Sequence, residues 1–355
     1  MKNKYFNQTV SNIRTILHAL PKVELHRHLE GSVRLSTLVE IAHQTKLGIP
    51  NVGIENLRPL VQMVGHEPDF QEFLAKFTIL REFYKSREAV LRIAYEVVAD
   101  AAYDNIKYLE LRFNPVAQAA NQGFALEEVT DWVVTAVNKA QDDFDIQVRL
   151  IIQMGRHEPQ FARKLAELAL AHKHKGIVGL DLAGDEKRFS AGKFIDIMRW
   201  AKGQGLHITS HAGECSNCPA SNILEAVEEI GATRIGHGIS AIHDSKVVNL
   251  LRQKNITLEI CPTSNLHTKV IENIHQHPLL NFHRAGVLVT INTDDPLISN
   301  ITLTDEYLLA IQEMGVTFSE LKAMIVNAAK ATFLPPTERV KLVSWFIKTL
   351  QQYHM

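Results

Sequence analysis

The feature of this sequence that most constrains its fold is the alternation of short β-branched runs with longer, helix-like stretches. Several of the runs are apolar at nearly every position, as expected of strands that are buried on both faces. The segments between them place apolar residues three and four positions apart, as in Glu158–His172, Lys193–Gly203 and Ile223–Ile230, which predicts amphipathic helices. The eight candidate strands are Lys22–His28, Ile106–Phe113, Ile146–Gln153, Ile177–Asp181, His207–Ser210, Arg234–Ile235, Thr257–Ile260 and Val287–Asn292.

Eight strands that alternate with helices predict an α/β fold of the (β/α)₈ barrel type. The chain has 355 residues and is longer than a minimal barrel, and the extra length is concentrated in a helical insertion at Arg34–Asn105, after the first strand. No repeat, low-complexity tract or flexible linker divides the sequence, so residues 1–355 are predicted to form a single domain. An open doubly wound sheet gives the same alternation, and the sixth strand is very short, so the pattern alone leaves both architectures open.

The composition excludes several classes of protein. There are 38 Lys and Arg against 39 Asp and Glu, a balance that predicts neither nucleic-acid binding nor attraction to an anionic membrane. No apolar run is long enough to span a membrane, and residues 1–20 lack the features of a secretory signal. Three cysteines do not make a disulfide framework. These observations predict a cytoplasmic protein, and they do not predict an oligomeric state.

Polar, chemically capable residues lie at the ends of four of the candidate strands. The carboxyl ends of all strands in a barrel meet at one face, so residues that are far apart in sequence converge there on a single site. The first strand ends in a His-x-His pair whose members point to the same side. The residues concerned are His26 and His28, then His211 and Glu214, then His237, and finally Asp294 and Asp295.

Four of these residues form a set of metal ligands. His26, His28, His211 and Asp294 supply three imidazoles and one carboxylate, which suits Zn²⁺ with one position left open for water. Glu214, His237 and Asp295 remain beside them as acids or bases. A metal that acidifies water, next to a group that moves protons, is the equipment of a hydrolase.

Seven motifs, in their order and spacing, resemble those of the adenosine deaminase family of the amidohydrolase superfamily. The motifs are ELHRHLEGS, LELRFNP, GLDLAGDE, SHAGE, RIGHG, CPTSN and NTDDP, and they extend from about Leu20 to about Phe333. The resemblance implies a (β/α)₈ barrel that binds one Zn²⁺ per chain through His26, His28, His211 and Asp294. It also implies hydrolytic deamination at C6 of adenosine or 2′-deoxyadenosine, with a small purine nucleoside as the substrate.

The same resemblance implies individual roles. Glu214 corresponds to the carboxyl group that protonates purine N1, and His237 to the histidine that orients the attacking water and helps to deprotonate it. Asp295 corresponds to the carboxylate that bonds N7, and Gly184 to the backbone N–H that bonds N3. Glu30 stands where the family contacts a sugar hydroxyl, often through Asp, and His28 lies beside the substrate as well as the metal.

Other functions remain open at this stage. Relatives with the same catalytic set deaminate adenine, N6-methyl-AMP or aminodeoxyfutalosine, and they would differ on the sugar side, near Glu30. A non-catalytic relative would normally have lost a metal ligand or a residue that moves protons. All four ligand residues, Glu214 and His237 are present here. A hydrolase of amide or phosphoester bonds could use the same metal, but GLDLAGDE and the Asp294–Asp295 pair favour a purine ring.

Further residues have simpler interpretations. Cys215 and Cys218 form an isolated C-x-x-C, for which neither a structural zinc site nor a redox role is favoured, although its position after Glu214 suits control of access. His275 and His277 are predicted to lie in a solvated loop. Phe70, Phe73 and Phe77 have helical spacing and are predicted to pack in the core, with possible substrate contacts in a helical lid.

Overall fold

The computed structural model describes residues 12–45, 47, 53–64 and 69–354. Eight parallel strands form one sheet in which each strand pairs with its neighbours in sequence order. The strands are β1 (Lys22–His28), β2 (Ile106–Phe113), β3 (Gln147–Gly155), β4 (Ile177–Ala183), β5 (His207–Ala212), β6 (Arg234–His237), β7 (Thr257–Ile260) and β8 (Leu288–Ile291). This sequential order confirms the (β/α)₈ barrel and excludes the doubly wound sheet, whose strand order reverses.

The seam between β8 and β1 nearly closes the barrel. The ladder there is reduced to one parallel bridge between Arg27 and Asp294. His28 N–H donates to the Asp294 carbonyl and Asp294 N–H donates to the His26 carbonyl, both at 2.9 Å. Lower down, side chains replace the missing backbone pairs, since Leu25 N–H donates to Asn292 Oδ1 at 3.0 Å. The closure itself therefore places Asp294 beside both histidines of β1.

Helices occupy the connections between strands and the segment after β8. The helix of residues 12–19 precedes β1. Helices Leu35–Thr45, Ile54–Val61, Phe70–Leu80 and Arg87–Tyr103 lie between β1 and β2, and Pro115–Ala119 and Leu126–Asp143 between β2 and β3. Ala162–Ala171, Ile195–Gly203, the pair Ser221–Leu224 and Glu225–Ile230, and Ser245–Gln253 follow β3, β4, β5 and β6 in turn. Pro262–His267 and Leu279–Arg284 lie between β7 and β8, and Pro296–Ser299, Leu303–Gln312, Phe318–Ala331 and Pro336–Leu350 come after β8.

Helix boundaries follow local chemistry. The Ser86 hydroxyl accepts from Ala89 N–H at 3.2 Å and so begins the helix Arg87–Tyr103. Thr317 and Glu320 form a reciprocal capping box at the start of Phe318–Ala331. Within the described residues, every helix is too short or too polar to cross a membrane.

The predicted strands agree closely with those observed, and the described part of the predicted insertion consists mainly of helices joined by short turns. The main difference is that β3, β4, β5 and β6 extend further at their carboxyl ends than their apolar runs suggested. In β5 and β6, His211 pairs with Gly236 and Ala212 pairs with His237. The ladder therefore continues through residues that are not β-branched, and these residues carry the functional side chains. The segment Ile223–Ile230 is helical, but its second half, Glu225–Ile230, has π-helical geometry.

Candidate metal and catalytic site

The three candidate histidine ligands converge at the carboxyl end of the barrel. His28 Nε2 lies 3.3 Å from His26 Nε2 and 3.2 Å from His211 Nε2. Asp294 Oδ1 lies 3.1 Å from His26 Nε2 and 3.0 Å from His28 Nε2. All four side chains are buried, with at most 5% of each residue exposed. The sequence therefore predicted correctly which distant residues the fold brings together.

Each histidine uses its other ring nitrogen to contact an acceptor. His26 Nδ1 lies 2.8 Å from Glu259 Oε2, and His211 Nδ1 lies 3.1 Å from Asp181 Oδ2. His28 Nδ1 lies 2.6 Å from the amide oxygen of Gln153. An acceptor at Nδ1 holds the ring proton there and leaves a lone pair on Nε2.

This arrangement fits a bound cation. With the ring protons held at Nδ1, three Nε2 lone pairs and a carboxylate oxygen face one another at about 3 Å. Asp294 Oδ1 is buried without a hydrogen-bond partner among the described residues, while Ser264 donates to its other oxygen at 2.7 Å. A cation bound between these atoms would offset their mutual repulsion.

A buried ionic network supports the site from within the barrel. Arg112 donates to Glu259 at 2.7 Å and to Asp181 at 3.2 Å, and none of the three side chains is exposed. Burial alone would raise the pKa of Glu259, but Arg112 and Arg234 outweigh it and hold that pKa well below its usual range. Both carboxylates are thus ionised acceptors for the imidazoles of the site.

Glu214 and His237 lie beside the candidate ligands, next to Asp294. The distance between Glu214 Oε1 and His237 Nε2 is 3.6 Å, and His237 Nε2 is 3.9 Å from Asp294 Oδ2. Burial, together with Asp294 and Glu186, raises the pKa of Glu214 well above its usual range. Burial lowers the pKa of His237, so its imidazole is neutral. A protonated carboxyl group and a neutral imidazole therefore face each other beside the metal position.

The backbone that carries these groups is held in unusual conformations. His237 has a φ of +62° and Asp294 a φ of +63°, in the left-handed region that costs a non-glycine residue about 1–3 kcal/mol. Glu186 accepts hydrogen bonds from Gly213 N–H at 3.0 Å and from Glu214 N–H at 2.7 Å. These backbone conformations and hydrogen bonds fix the points from which the side chains of His237, Glu214 and Asp294 enter the site.

A cavity of about 400 Å³ opens directly onto the site. His28, His211, Glu214, Asp294 and Asp295 line its floor. Its walls include the remaining predicted substrate residues, Glu30 and Gly184, and also Phe73 and Phe77 from the helical insertion. Phe73 and Phe77 therefore border the cavity, which the sequence predicted only as a possibility beside core packing.

The predicted substrate residues are positioned in different ways. Glu30 is buried, and its Oε1 accepts from Asn114 N–H at 2.9 Å and from Gln118 Nε2 at 2.8 Å. Asp295 is 1% exposed, and its Oδ1 is buried without a partner among the described residues. Gly184 follows β4 with a φ of +104°, a conformation that suits glycine.

Two expectations about other residues differ from the structure. His275 is exposed, as predicted, but His277 is only 6% exposed, and its Nε2 lies 3.2 Å from Asn265 Oδ1. Cys215 and Cys218 form a disulfide that the sequence did not predict, and Phe70 and Leu74 pack around it. The disulfide lies in the loop that follows Glu214.

Several supporting residues carried no assigned role at the sequence level. They are Gln153, Asp181, Glu186, Glu259, Ser264 and Asn265. Four of them belong to the motifs GLDLAGDE and CPTSN, and Glu259 is an acid within an otherwise apolar strand. That charge in a buried run was the available signal.

The fold and the site together define a class of protein, a (β/α)₈ barrel with a buried group of histidine and aspartate side chains that could hold a metal ion. Residues 21–349 match the family model described as adenosine deaminase. The adenosine deaminase of Shewanella loihica is 41% identical over 325 residues, which cover 91% of this chain and 97% of the relative. This chain therefore belongs to the adenosine deaminase family.

Solved structures of deaminases have the same fold. The adenine deaminase of Arthrobacter aurescens superposes with a TM-score of 0.86 at 25% identity, covering 94% of this chain and 100% of that one. The apo N6-methyl-AMP deaminase of Arabidopsis thaliana gives a TM-score of 0.83 at 29% identity, covering 96% and 99%. The fold is thus shared by proteins named for different 6-aminopurine substrates.

Proposed function

We propose that this protein hydrolyses adenosine and 2′-deoxyadenosine at C6, giving inosine or 2′-deoxyinosine and ammonia. One observation carries the proposal. A cluster of three imidazole lone pairs and a carboxylate lies beside a buried acid, at the floor of a cavity large enough for a nucleoside. Membership of the adenosine deaminase family supports the same reaction.

The metal we assign is one Zn²⁺ per chain, held by His26, His28, His211 and Asp294. Nitrogen and carboxylate donors in a compact set are the ligands that zinc prefers, and Ser264 and the Nδ1 acceptors orient them. When bound, zinc lowers the pKa of a coordinated water so that hydroxide is available near neutral pH.

Glu214 is the proposed acid. Attack at C6 interrupts the aromatic ring, and the charge that builds up at N1 must be neutralised by a proton. Glu214 is buried and protonated, so it can deliver that proton to N1. The C6–O bond forms as N1 gains this proton, and the C6–N bond breaks to release ammonia and leave a C6=O group. Of the two protons of the attacking water, one passes to the departing amino group and the other restores the proton that Glu214 gave to N1.

His237 is the proposed orienting group for the attacking oxygen, since its Nε2 faces the site between Glu214 and Asp294. Asp295 is proposed to bond N7, Gly184 N–H to bond N3, and Glu30 to bond a sugar hydroxyl. All three line the same cavity as His28, which is proposed to contact the substrate as well as the metal.

A second candidate substrate class is a 6-aminopurine nucleotide. Arg81 and Arg188 line the cavity, and Arg81 Nε is buried without a hydrogen-bond partner in the described part of the chain. A guanidinium N–H without a protein partner suits a phosphate. Glu30, in contrast, would repel a phosphate placed near it, and this favours the nucleoside. Adenine and aminodeoxyfutalosine are the other alternative substrates with a 6-aminopurine ring.

A substrate screen tests these assignments. The zinc-loaded protein is offered adenosine, 2′-deoxyadenosine, adenine, AMP and N6-methyl-AMP, and deamination is followed by absorbance. We expect fast turnover of both nucleosides and little of the others. Preference for a nucleotide would support the alternative in which Arg81 binds a phosphate. In that case an Arg81→Met variant should lose the preference for the nucleotide. No turnover of any compound by metal-bound protein would favour a non-catalytic binding role.

We also propose that residues 1–355 form one domain and that the protein acts in the cytoplasm. The larger hydrophobic cluster among the described residues links the barrel with the helices of the insertion and those after β8, which supports one folding unit. A single calorimetric unfolding transition is expected, and two separated transitions would contradict the one-domain assignment.

A further inference from the structure

A chain of hydrogen bonds runs from the helix Leu279–Arg284 to the edge of the metal site. Leu279 N–H donates to His277 Nδ1 at 3.1 Å. His277 Nε2 lies 3.2 Å from Asn265 Oδ1, and Asn265 Nδ2 lies 3.1 Å from His237 Nδ1. The opposite nitrogen of His237, Nε2, is the atom that faces Glu214 and Asp294.

The direction of this chain is fixed at its far end. A backbone N–H group can only donate. Leu279 is the first residue of its helix, so its N–H has no acceptor within the helix and is available to His277. His277 Nδ1 must therefore accept, and a neutral His277 carries its proton on Nε2. That proton is donated to Asn265 Oδ1, which leaves the Asn265 amide nitrogen to donate to His237 Nδ1.

The residues of the chain are shielded from water. Asn265 and His237 are fully buried and His277 is 6% exposed, so water does not compete for these bonds. Burial lowers the pKa of His277 to about 3, and its ring stays neutral across the physiological range. The polarity of the chain is thus constant under working conditions.

We propose that His277 and Asn265 are positioning residues that hold His237 in the tautomer with its proton on Nε2. The inference rests on the proposed function, because His237 then donates a hydrogen bond to the oxygen that attacks C6. In this tautomer Nε2 has no lone pair, so His237 orients that oxygen and does not remove its proton. His237 Nε2 is buried without a hydrogen-bond partner among the described residues, so its N–H is left to bond the attacking oxygen.

Asn265→Asp is the most direct test. The aspartate keeps the shape of the side chain but accepts at both oxygens, so it draws the His237 proton to Nδ1 and exposes a lone pair on Nε2. The assay is done at alkaline pH, where the new carboxylate is ionised and the His237 ring is neutral. Under these conditions we expect kcat to fall about 100-fold. KM and zinc content should be unchanged. A kcat equal to or above that of the wild type would show that His237 acts as a base and would overturn the proposal.

Variants at His277 provide an independent test that leaves Asn265 in place. His277→Gln retains an N–H group near the Nε2 position and should keep kcat within about threefold of the wild type. His277→Leu removes both bonds, lets the Asn265 amide rotate, and should lower kcat about tenfold. His275→Leu, at an exposed site two residues away, is the matched control and should change nothing. Equal activity of the Gln and Leu variants would contradict the positioning role.

A readout independent of turnover completes the test. In zinc-loaded protein labelled with ¹⁵N-histidine, the imidazole shifts report which nitrogen carries the proton, and His237→Gln identifies the His237 signals. We expect the proton on Nε2 in the wild type and on Nδ1 in Asn265→Asp. A wild-type proton on Nδ1 would refute the inference whether or not the protein deaminates purines. Failure of the substrate screen alone would refute only the proposed function.

Discussion

The backbone at Gly31 lies directly against the carboxyl group of Asp295. A Cβ atom on Gly31 would come within 1.7 Å of Asp295 Oδ1 and 2.4 Å of its Cγ. The Gly31 carbonyl also accepts from Leu297 N–H at 2.8 Å, which keeps the two segments together. The glycine of the motif ELHRHLEGS is therefore required by a close approach to a proposed substrate-binding residue, since a side chain cannot fit there.

Gly31→Ala is expected to displace Asp295 and to lower kcat/KM by at least about tenfold, because a misplaced contact weakens binding and orientation of the purine. Zinc content should not change, since the atoms nearest to the added Cβ belong to Asp295, which is not a proposed ligand. Gly203→Ala is the matched control, because a Cβ atom there meets nothing within 4 Å. Steady-state kinetics decide the matter, and wild-type kcat/KM in Gly31→Ala would contradict this account of Asp295.

Glu214→Gln keeps the size of the side chain but removes the proton that N1 requires. We expect at least about a hundredfold loss of kcat with zinc content unchanged. Glu228 lies in the same connection between β5 and β6, and its side chain is half-exposed, so Glu228→Gln should retain full activity. Turnover and metal analysis of both variants test the assignment, and a wild-type rate in Glu214→Gln would remove Glu214 from the mechanism.

Asp294→Ala removes the only carboxylate that contacts His26 and His28 at the metal position within the described residues. We expect loss of zinc, loss of activity, or both, because the site then lacks a charged ligand. Asp295→Asn, one residue further along, should retain zinc and lose substrate affinity instead. Metal content after dialysis distinguishes the two variants, and a zinc-replete, active Asp294→Ala protein would refute the ligand set.

Glu306 makes a pH-dependent contribution to stability. Burial raises its pKa from 4.5 to about 8, Thr263 N–H donates to Oε1 at 3.0 Å, and Oε2 has no partner among the described residues. Between these two pKa values the unfolded chain releases the proton and the folded chain retains it. Stability is therefore lost progressively as the pH rises from about 4.5 to about 8.

Glu306→Gln keeps the acceptor for Thr263 and cannot ionise. We expect it to be about as stable as the wild type near pH 4.5 and more stable by up to roughly 5 kcal/mol above pH 8, the free energy that corresponds to a pKa raised from 4.5 to about 8. Denaturant unfolding at several pH values measures this difference. A difference that does not grow with pH would contradict the raised pKa.

Much of the fold and of the site could be predicted from the sequence because both follow from local pattern and barrel topology. The run Thr257–Ile260 coincides with β7, and its apolar residues alone indicate a strand. His26, His211 and Asp294 are brought together simply because strand ends meet at one face. Neither inference needed a tertiary contact beyond the barrel itself.

The remaining features depend on tertiary contacts that no local pattern encodes. His277 lies in a polar stretch with no strand pattern, and its buried position, in contact with Asn265, is set by the tertiary fold. The carboxylates of Asp181 and Glu259 were not recognised, because their partners Arg112 and the imidazoles come from other strands. The disulfide between Cys215 and Cys218 depends equally on how the loop after Glu214 folds.

The measurement that tests the central claim most directly is reconstitution of the metal-free protein with adenosine as substrate. The protein is stripped of metal, zinc is added back in known amounts, and inosine and ammonia are both quantified. We expect no turnover without metal, a linear gain up to one zinc per chain, and equal amounts of the two products. Full activity in metal-free protein, or zinc bound at one equivalent without conversion of adenosine, would contradict the account.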